Sequence, residues 1–172
     1  MKQFGNKTMK QGFTLMEAIV AITVITVGIV GVLSLVSQTI SSSTFSKDKL
    51  VAAYLAQEGI EIVRNIRDTN WLLTGANWND GLGTGDWQAD YNDSSLSFYT
   101  YPGNPLNLEN LTNYYGYGSG NATKFTRKIT ISEPATASCP AGSCLNIKVE
   151  VSWQEKGKLH KVGAQENLYN WK

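Results

Sequence analysis

Phe13 to Val36 reads FTLMEAIVAITVITVGIVGVLSLV, twenty-four residues in which Glu17 is the one charged side chain. As an α-helix rising about 1.5 Å per residue, this stretch extends about 36 Å, enough to cross the hydrocarbon core of a bilayer with some tilt. On its N-terminal side, residues 1–12 (MKQFGNKTMKQG) carry Lys2, Lys7 and Lys10 and no acid. Basic residues before a span and none just after it orient the N-terminus to the cytoplasm. On the other side lies SQTISSSTFS, residues 37–46, polar and serine-rich, a plausible exit through the headgroups. The whole chain has 172 residues, a length that suits one ordinary domain with an appendage. Its 42% apolar content is enough to bury a core. Fifteen basic and fourteen acidic side chains leave a net charge of +1, which argues against a broadly basic nucleic-acid binder.

Three readings of the apolar stretch compete. A secretory signal peptide wants a shorter apolar region followed by a small-residue cleavage site, and SQTISSSTFS offers no clear A-x-A. A plain single-span anchor explains length and orientation but not an acid at the fifth residue, since a carboxylate in hydrocarbon is costly and by default marks function. The third reading uses every residue. Gly12-Phe13-Thr14-Leu15-Met16-Glu17-Ala18-Ile19-Val20-Ala21-Ile22, behind a short basic leader, closely resembles the prepilin signature of type IV pilins and type II secretion pseudopilins.

That resemblance implies a sequence of events. A prepilin peptidase in the membrane cuts between Gly12 and Phe13, and Phe13 is N-methylated. Glu17 becomes the family's assembly glutamate, five residues into the mature chain. The apolar helix serves first as a single-pass anchor in the bacterial inner membrane, N-terminus in the cytoplasm and head outside. Later it becomes the core of a pilus or pseudopilus. The implied partners are the peptidase, other pilin subunits through the N-terminal helix, and the inner-membrane assembly machinery. Met9-Lys10-Gln11 repeats the Met1-Lys2-Gln3 opening, so translation from Met9 would leave a four-residue leader. Val27-Gly28-Ile29-Val30-Gly31 looks most like PilV-type minor pilins. Major pilins often carry a proline further along this helix, and here none precedes Pro102.

From Lys47 helical patterning resumes. Val51, Leu55, Gly59, Ile62 and Ile66 share one stripe, widened by Tyr54 and Val63, with Lys49, Gln57, Arg64 and Arg67 opposite. Ala53 and Ile60 fall on the polar side; a harmless exposed Ile60 is favoured slightly over one that faces a neighbouring subunit. Gly75 is a credible helix stop. These features divide the chain into a leader (1–12), a transmembrane and filament-core helix (13–36), its amphipathic continuation (37–74) and a head (75–172).

Within the head, residues 75–121 are rich in Gly, Asn and aromatics, and their charges are Asp80, Asp86, Asp90, Asp93 and Glu109, with no base. Leu96–Tyr101 reads as a strand ahead of the Pro102-Gly103 turn. A solvated acidic loop is favoured over a calcium site, because Tyr91 stands where aligning Asp80 to an EF-hand needs Glu. Trp78, Trp87 and the tyrosines suit packing of the loop on itself better than a sugar-binding surface. Residues 122–172 change to a period of two. Leu145–Trp153 alternates cleanly, and Phe125–Ile131 forms a second strand with Phe125, Ile129 and Ile131 inward and Arg127 less easily placed. Leu159–Val162 starts a third strand, and Glu166–Trp171 closes the chain by packing Leu168 and Trp171 on the sheet. The expected fold class is α+β, a long N-terminal helix laid on a small antiparallel sheet, as the pilin resemblance also implies.

Cys139 and Cys144 are five residues apart, not a CxxC redox or zinc pattern, and outside the cytoplasm a disulfide pinching the hairpin loop is the natural reading. No metal-ligand set, nucleophile motif or phosphate-binding loop stands out, and His160 is the single histidine. The expectation is no cofactor and no enzyme, but a structural subunit that is itself a peptidase's substrate. A pilus-borne adhesin or DNA-uptake pilin binding through residues 75–121 is the alternative, and an anchored protein unrelated to filaments is the other.

Overall fold

The computed structural model describes residues 12, 14–96, 100–134, 139–140 and 142–171. The chain forms two compact units, residues 1–44 and 45–172. One helix, α1 (Leu15–Leu72), runs through the boundary. Among the described residues seven strands follow: β1 (Gly85–Trp87), β2 (Asn107–Leu108), β3 (Tyr115–Gly116), β4 (Asn121–Ala122), β5 (Thr126–Ser132), β6 (Cys144–Glu155) and β7 (Lys158–Tyr169). The architecture is α+β, as the periodicities predict.

The larger sheet has the order β1-β5-β6-β7, antiparallel throughout. Alternation decides its inner face. Arg127, Ile129 and Ile131 of β5, and Leu145, Ile147, Val149, Val151 and Trp153 of β6, are all buried. They share a core with Ala52, Leu55, Ala56, Val63 and Ile66 of α1. The helix comes close to the sheet at Gly59, where a Cβ would sit 2.8 Å from Val149 Cγ1 and 3.3 Å from Arg127 Cδ. Alanine favours a helix interior by about 1 kcal/mol over glycine. Overpacking a β-branched neighbour held on a central strand costs about 1–3 kcal/mol and outweighs that gain. Gly59→Ala is therefore expected to lower the denaturation midpoint, and Gly59→Ala with Val149→Ala to melt no lower than Val149→Ala alone.

The helix is covered over a wider arc than a single stripe. Ile60, expected on the exposed side, is 7% exposed, and Arg67, assigned to the polar face, is buried as well. The reason is β7, a continuous twelve-residue strand and not two short segments. Ile60 lines a cleft with Ala164, Gln165 and Glu166 of β7, and Arg64 donates to Glu166 at 2.5 Å across the same edge. Arg67 lies over the Trp71 ring, 4.6 Å from its centroid, with its Nε on Asp68. Tyr54, expected to widen the buried stripe, is 63% exposed. Trp171 is also mostly exposed, and its ring stands edge-on to Trp71 of α1 at 4.2 Å instead of lying on the sheet. Leu168 is buried as expected.

The helix ends at Leu72, and the chain turns away through Gly75 with φ of 85°. Buried Asn70 fastens the exit, its Nδ2 donating to the carbonyls of Trp78 (3.2 Å) and Asp80 (2.7 Å). Two parts of the 75–121 region carry more structure than its composition suggested. β1 pairs with β5, and β2 pairs with both β3 and β4 in a second small sheet. Of the expected Leu96–Tyr101 strand, residues 97–99 lie outside the described ones, and Thr100 makes an isolated bridge to Trp87. Cys139 and Cys144 are joined in a disulfide, with Cα atoms 5.5 Å apart. It closes the β5–β6 connection beside the last pairing of the chain, Asn170 N–H to the Ser143 carbonyl at 2.9 Å.

Candidate functional site: the N-terminal motif and its apolar helix

The helix begins with a cap written into the motif. Thr14 stands just before Leu15, and its Oγ1 accepts from the Glu17 N–H at 3.3 Å. Its carbonyl accepts from the N–H groups of Glu17 (3.1 Å) and Ala18 (3.2 Å). Thr-x-x-Glu is the order of a capping box, a signal present in Thr14-Leu15-Met16-Glu17 that the sequence reading passed over. Glu17 thus sits in the first turn, where the helix dipole favours a negative charge. Gly12 is exposed, and a Cβ there would meet nothing within 4 Å. Phe13 lies outside the described residues. Among the described residues, no ion pair engages Glu17.

Beyond the cap the helix shows apolar side chains on every side. Ile19, Val20, Ile22, Val24, Ile25, Val27, Ile29, Val30, Val32, Leu33, Leu35 and Val36 are all exposed. A soluble monomer would leave a large apolar surface in water, which small proteins rarely tolerate. The threonines along it are satisfied internally. Thr23 Oγ1 donates to the Ile19 carbonyl (2.8 Å) and Thr26 Oγ1 to that of Thr23 (2.9 Å). Thr39 Oγ1 likewise reaches the Leu35 carbonyl (2.9 Å). With these threonine hydroxyls and the backbone paired within the helix, the segment suits the condition that hydrocarbon imposes. Its length and composition are enough to cross a membrane.

The acidic residues of the 75–121 region are engaged at separate places, except that the Asp90 and Glu109 carboxylates both approach Gly116. Asp80 accepts from the Asn77 backbone at 2.8 Å, and Asp86 from the Thr130 hydroxyl at 2.6 Å. The Thr130 hydroxyl and Lys128 hold the Asp86 carboxyl below its ordinary range. Asp93 accepts from the Asp90 N–H at 2.7 Å, and Asp90 from the Tyr117 N–H at 2.9 Å. Among the described residues, no group of three or more His, Cys, Asp or Glu is placed to hold a metal ion. Burial pushes the Tyr117 phenol up to about 12; its hydroxyl donates to the Arg127 carbonyl at 3.1 Å.

Burial pushes Asp90 upward too, against the pull of the Tyr117 N–H and Arg127. A carboxyl whose folded pKa exceeds its unfolded value adds stability below the unfolded range, near pH 3.9, and loses it as pH rises through the folded value. Asn keeps the acceptor for Tyr117. Asp90→Asn is therefore expected to melt like the parent near pH 4 and above it at pH 7. Parallel melting curves across that range would contradict the assignment.

Deeper in the head, Arg127 occupies an inward position on β5 and is fully buried. Its guanidinium donates to Glu58 Oε1 (2.9 Å), the Ala89 carbonyl (2.8 Å) and the Leu55 carbonyl (3.4 Å). It ties the helix, the sheet and the acidic loop together. The alternation of β5 places it inward, but no sequence signal named Glu58 as its partner.

Residues 7–33 match the family model described as the prokaryotic N-terminal methylation motif. Comparison with curated proteins and with solved structures gave no match. The matched residues take in Lys7 and Lys10, the Gly12–Phe13 step, the Thr14 cap, Glu17 and most of the exposed apolar helix. The motif supports the type IV pilin and pseudopilin family and indicates a prepilin-type subunit that is processed for assembly.

Proposed function

We propose that this chain is a minor pilin or pseudopilin, a structural subunit stored in the bacterial inner membrane and built into a type IV pilus or type II secretion pseudopilus. Prepilin peptidase removes residues 1–12 between Gly12 and Phe13, and Phe13 carries the methyl group. Residues 13–36 anchor the subunit and later pack into the filament core. The head stands outside the cytoplasm, where the Cys139–Cys144 disulfide is stable. The observation that carries this reading is the methylation motif opening onto a helix whose apolar side chains are exposed on all sides. An intact-mass measurement of the purified protein tests it. The expected species starts at Phe13 and is one methyl group heavier than the bare chain; a mature protein that still begins at Met1 or Met9 would overturn it.

A ligand-binding pilin is the second reading. It is favoured by Leu111, 97% exposed at the β2–β3 turn, and by the exposed Tyr91 and Tyr114, whose rings meet edge-on at 5.2 Å. Loss of surface or DNA binding by Leu111→Ser, with filament assembly unchanged, would support it.

A further inference from the structure

The larger sheet treats its two edges differently. At β1 the edge is three residues long and the chain closes it: Trp87 bridges to Thr100, and the Asp86 carbonyl accepts from the Tyr101 N–H at 3.0 Å. At β7 the edge is twelve residues long, and β7 pairs with β6 alone. The Asn170 N–H bond to the Ser143 carbonyl extends that ladder one pair beyond Cys144 and Tyr169, which fixes its phase. Residues of an antiparallel strand alternate between bonding to the neighbour and facing away from it. Counted back from Asn170, the even-numbered residues of β7 bond to β6. Leu159, Lys161, Gly163, Gln165, Asn167 and Tyr169 therefore turn their N–H and C=O groups outward. Among the described residues, no backbone hydrogen bond reaches those groups.

Proteins blunt such an edge with proline, a bulge, charge or a covering segment. Residues 158–169 contain no proline, and their register with β6 is unbroken. Lys161, the outward lysine, is drawn back to Glu150 of β6 at 2.8 Å. Beside the edge there is also room for side chains. The even-numbered side chains of β7 lie toward α1, His160 against Phe45 at 4.9 Å and Glu166 on Arg64. Next to them a cleft of about 370 Å³ opens between α1 and β7, lined by Ile60 and Ala164 and by Glu61, Arg64 and Glu166. Arg64 bonds both Glu61 and Glu166 at 2.5 Å, so two carboxylates share one guanidinium and the cleft keeps a net negative charge.

We propose that the outer edge of β7 receives an added antiparallel strand from another protein, with the pattern basic-x-aliphatic-x-aliphatic. Alternating donors and acceptors at strand spacing are the complement of an extended polypeptide backbone. Antiparallel pairing continues the sheet's own pattern and is the more stable per residue. It sets the basic residue opposite Glu166, the first aliphatic one opposite Ala164 and over Ile60, and the second opposite Val162. The main chain supplies affinity and the cleft supplies selectivity. This surface belongs to the head and is independent of the N-terminal motif.

The test is fluorescence anisotropy of a labelled peptide, Thr-Arg-Thr-Val-Thr-Val-Thr, titrated with the full chain in detergent. In the proposed register the threonine amides face β7 and the valine amides face away. N-methylation of the two central threonines is expected to weaken binding about tenfold or more, and N-methylation of the two valines to leave it unchanged. Glutamate in place of the peptide's arginine is expected to weaken binding as well. In the protein, Gln165→Pro removes an outward N–H that β6 does not use; it is expected to keep the fold and lose about tenfold in affinity. The two methylated peptides leave the protein untouched, so the test stands even if that variant does not fold. Equal binding of the two, or no binding of the parent peptide at millimolar concentration, overturns the proposal. So does a dimer of the full chain that Gln165→Pro dissociates while the peptide does not compete, since the edge would then serve a second copy.

Discussion

Glu17→Leu is expected to be inserted and cleaved like the parent chain but to be about a hundredfold poorer at entering filaments. Glu17 lies in the first turn of α1, so in a single anchored subunit its carboxylate would reach the headgroup region and avoid most of the burial cost. In a filament core made of these helices that escape is gone, and a buried carboxylate needs a cation. Ala18 to Val36 contains no basic residue. On the proposed processing, the cation left is the amine that cleavage would free on Phe13, which would stay charged when methylated, and the family resemblance points to the amine of a neighbouring subunit. Breaking a buried pair costs about 3–5 kcal/mol, a factor of 10² or more in an equilibrium. Leucine removes the carboxylate's own burial cost but leaves the neighbour's amine unpaired. The measurement is the share of tagged Glu17→Leu protein that co-purifies with sheared filaments. Recovery at the parent's level would show that the carboxylate does not direct assembly.

The second large effect is on stability. Arg127→Ala is expected to cost about 3–5 kcal/mol, since it leaves a half-buried Glu58 without its cation, two core carbonyls without their donors, and a cavity. Domains of this kind have about 5–15 kcal/mol in all, so the variant should be close to unfolding at growth temperature. Arg127→Met fills most of the volume, and Glu58→Gln with Arg127→Met removes the orphaned charge as well; the double variant is expected to recover most of the loss. Denaturant titration followed by tryptophan fluorescence reads all three. An Arg127→Ala midpoint within error of the parent would mean that this cluster does not hold the helix on the sheet.

The two ends of the chain differed in how much of this could be read beforehand. The apolar run with its single glutamate and the strict alternation of Leu145–Trp153 are local patterns, and both the long helix and the central strand follow from them. Ile60 and Tyr54 show where local patterning stops. Each was assigned by helical phase, yet which side of α1 is covered depends on how far β7 extends, and β7 begins nearly a hundred residues later in the chain. Arg127 was awkward because a charged residue at an inward strand position is explained by its partner alone, and that partner, Glu58, is distant in sequence. The β2-β3-β4 sheet escaped notice because its two-residue strands are too short to show any period. The capping box is a local signal, complete in the four residues Thr14-Leu15-Met16-Glu17.

Helix α1 and the strands it packs on are separated by most of the chain: Asp48 pairs with Lys124, and Arg64 with Glu166, 102 residues on. Synthesis runs from the N-terminus at roughly 5–20 residues per second. The apolar span is therefore complete many seconds before the residues that cover Leu55, Val63 and Ile66 exist. On the proposed anchored reading, the nascent chain would be anchored first and build its head last, with one face of the helix waiting uncovered for its sheet. In that interval the membrane would keep each subunit in place and limit its neighbours to two dimensions. The order of residues along this chain would thus also be a schedule, in which attachment precedes folding and folding precedes assembly.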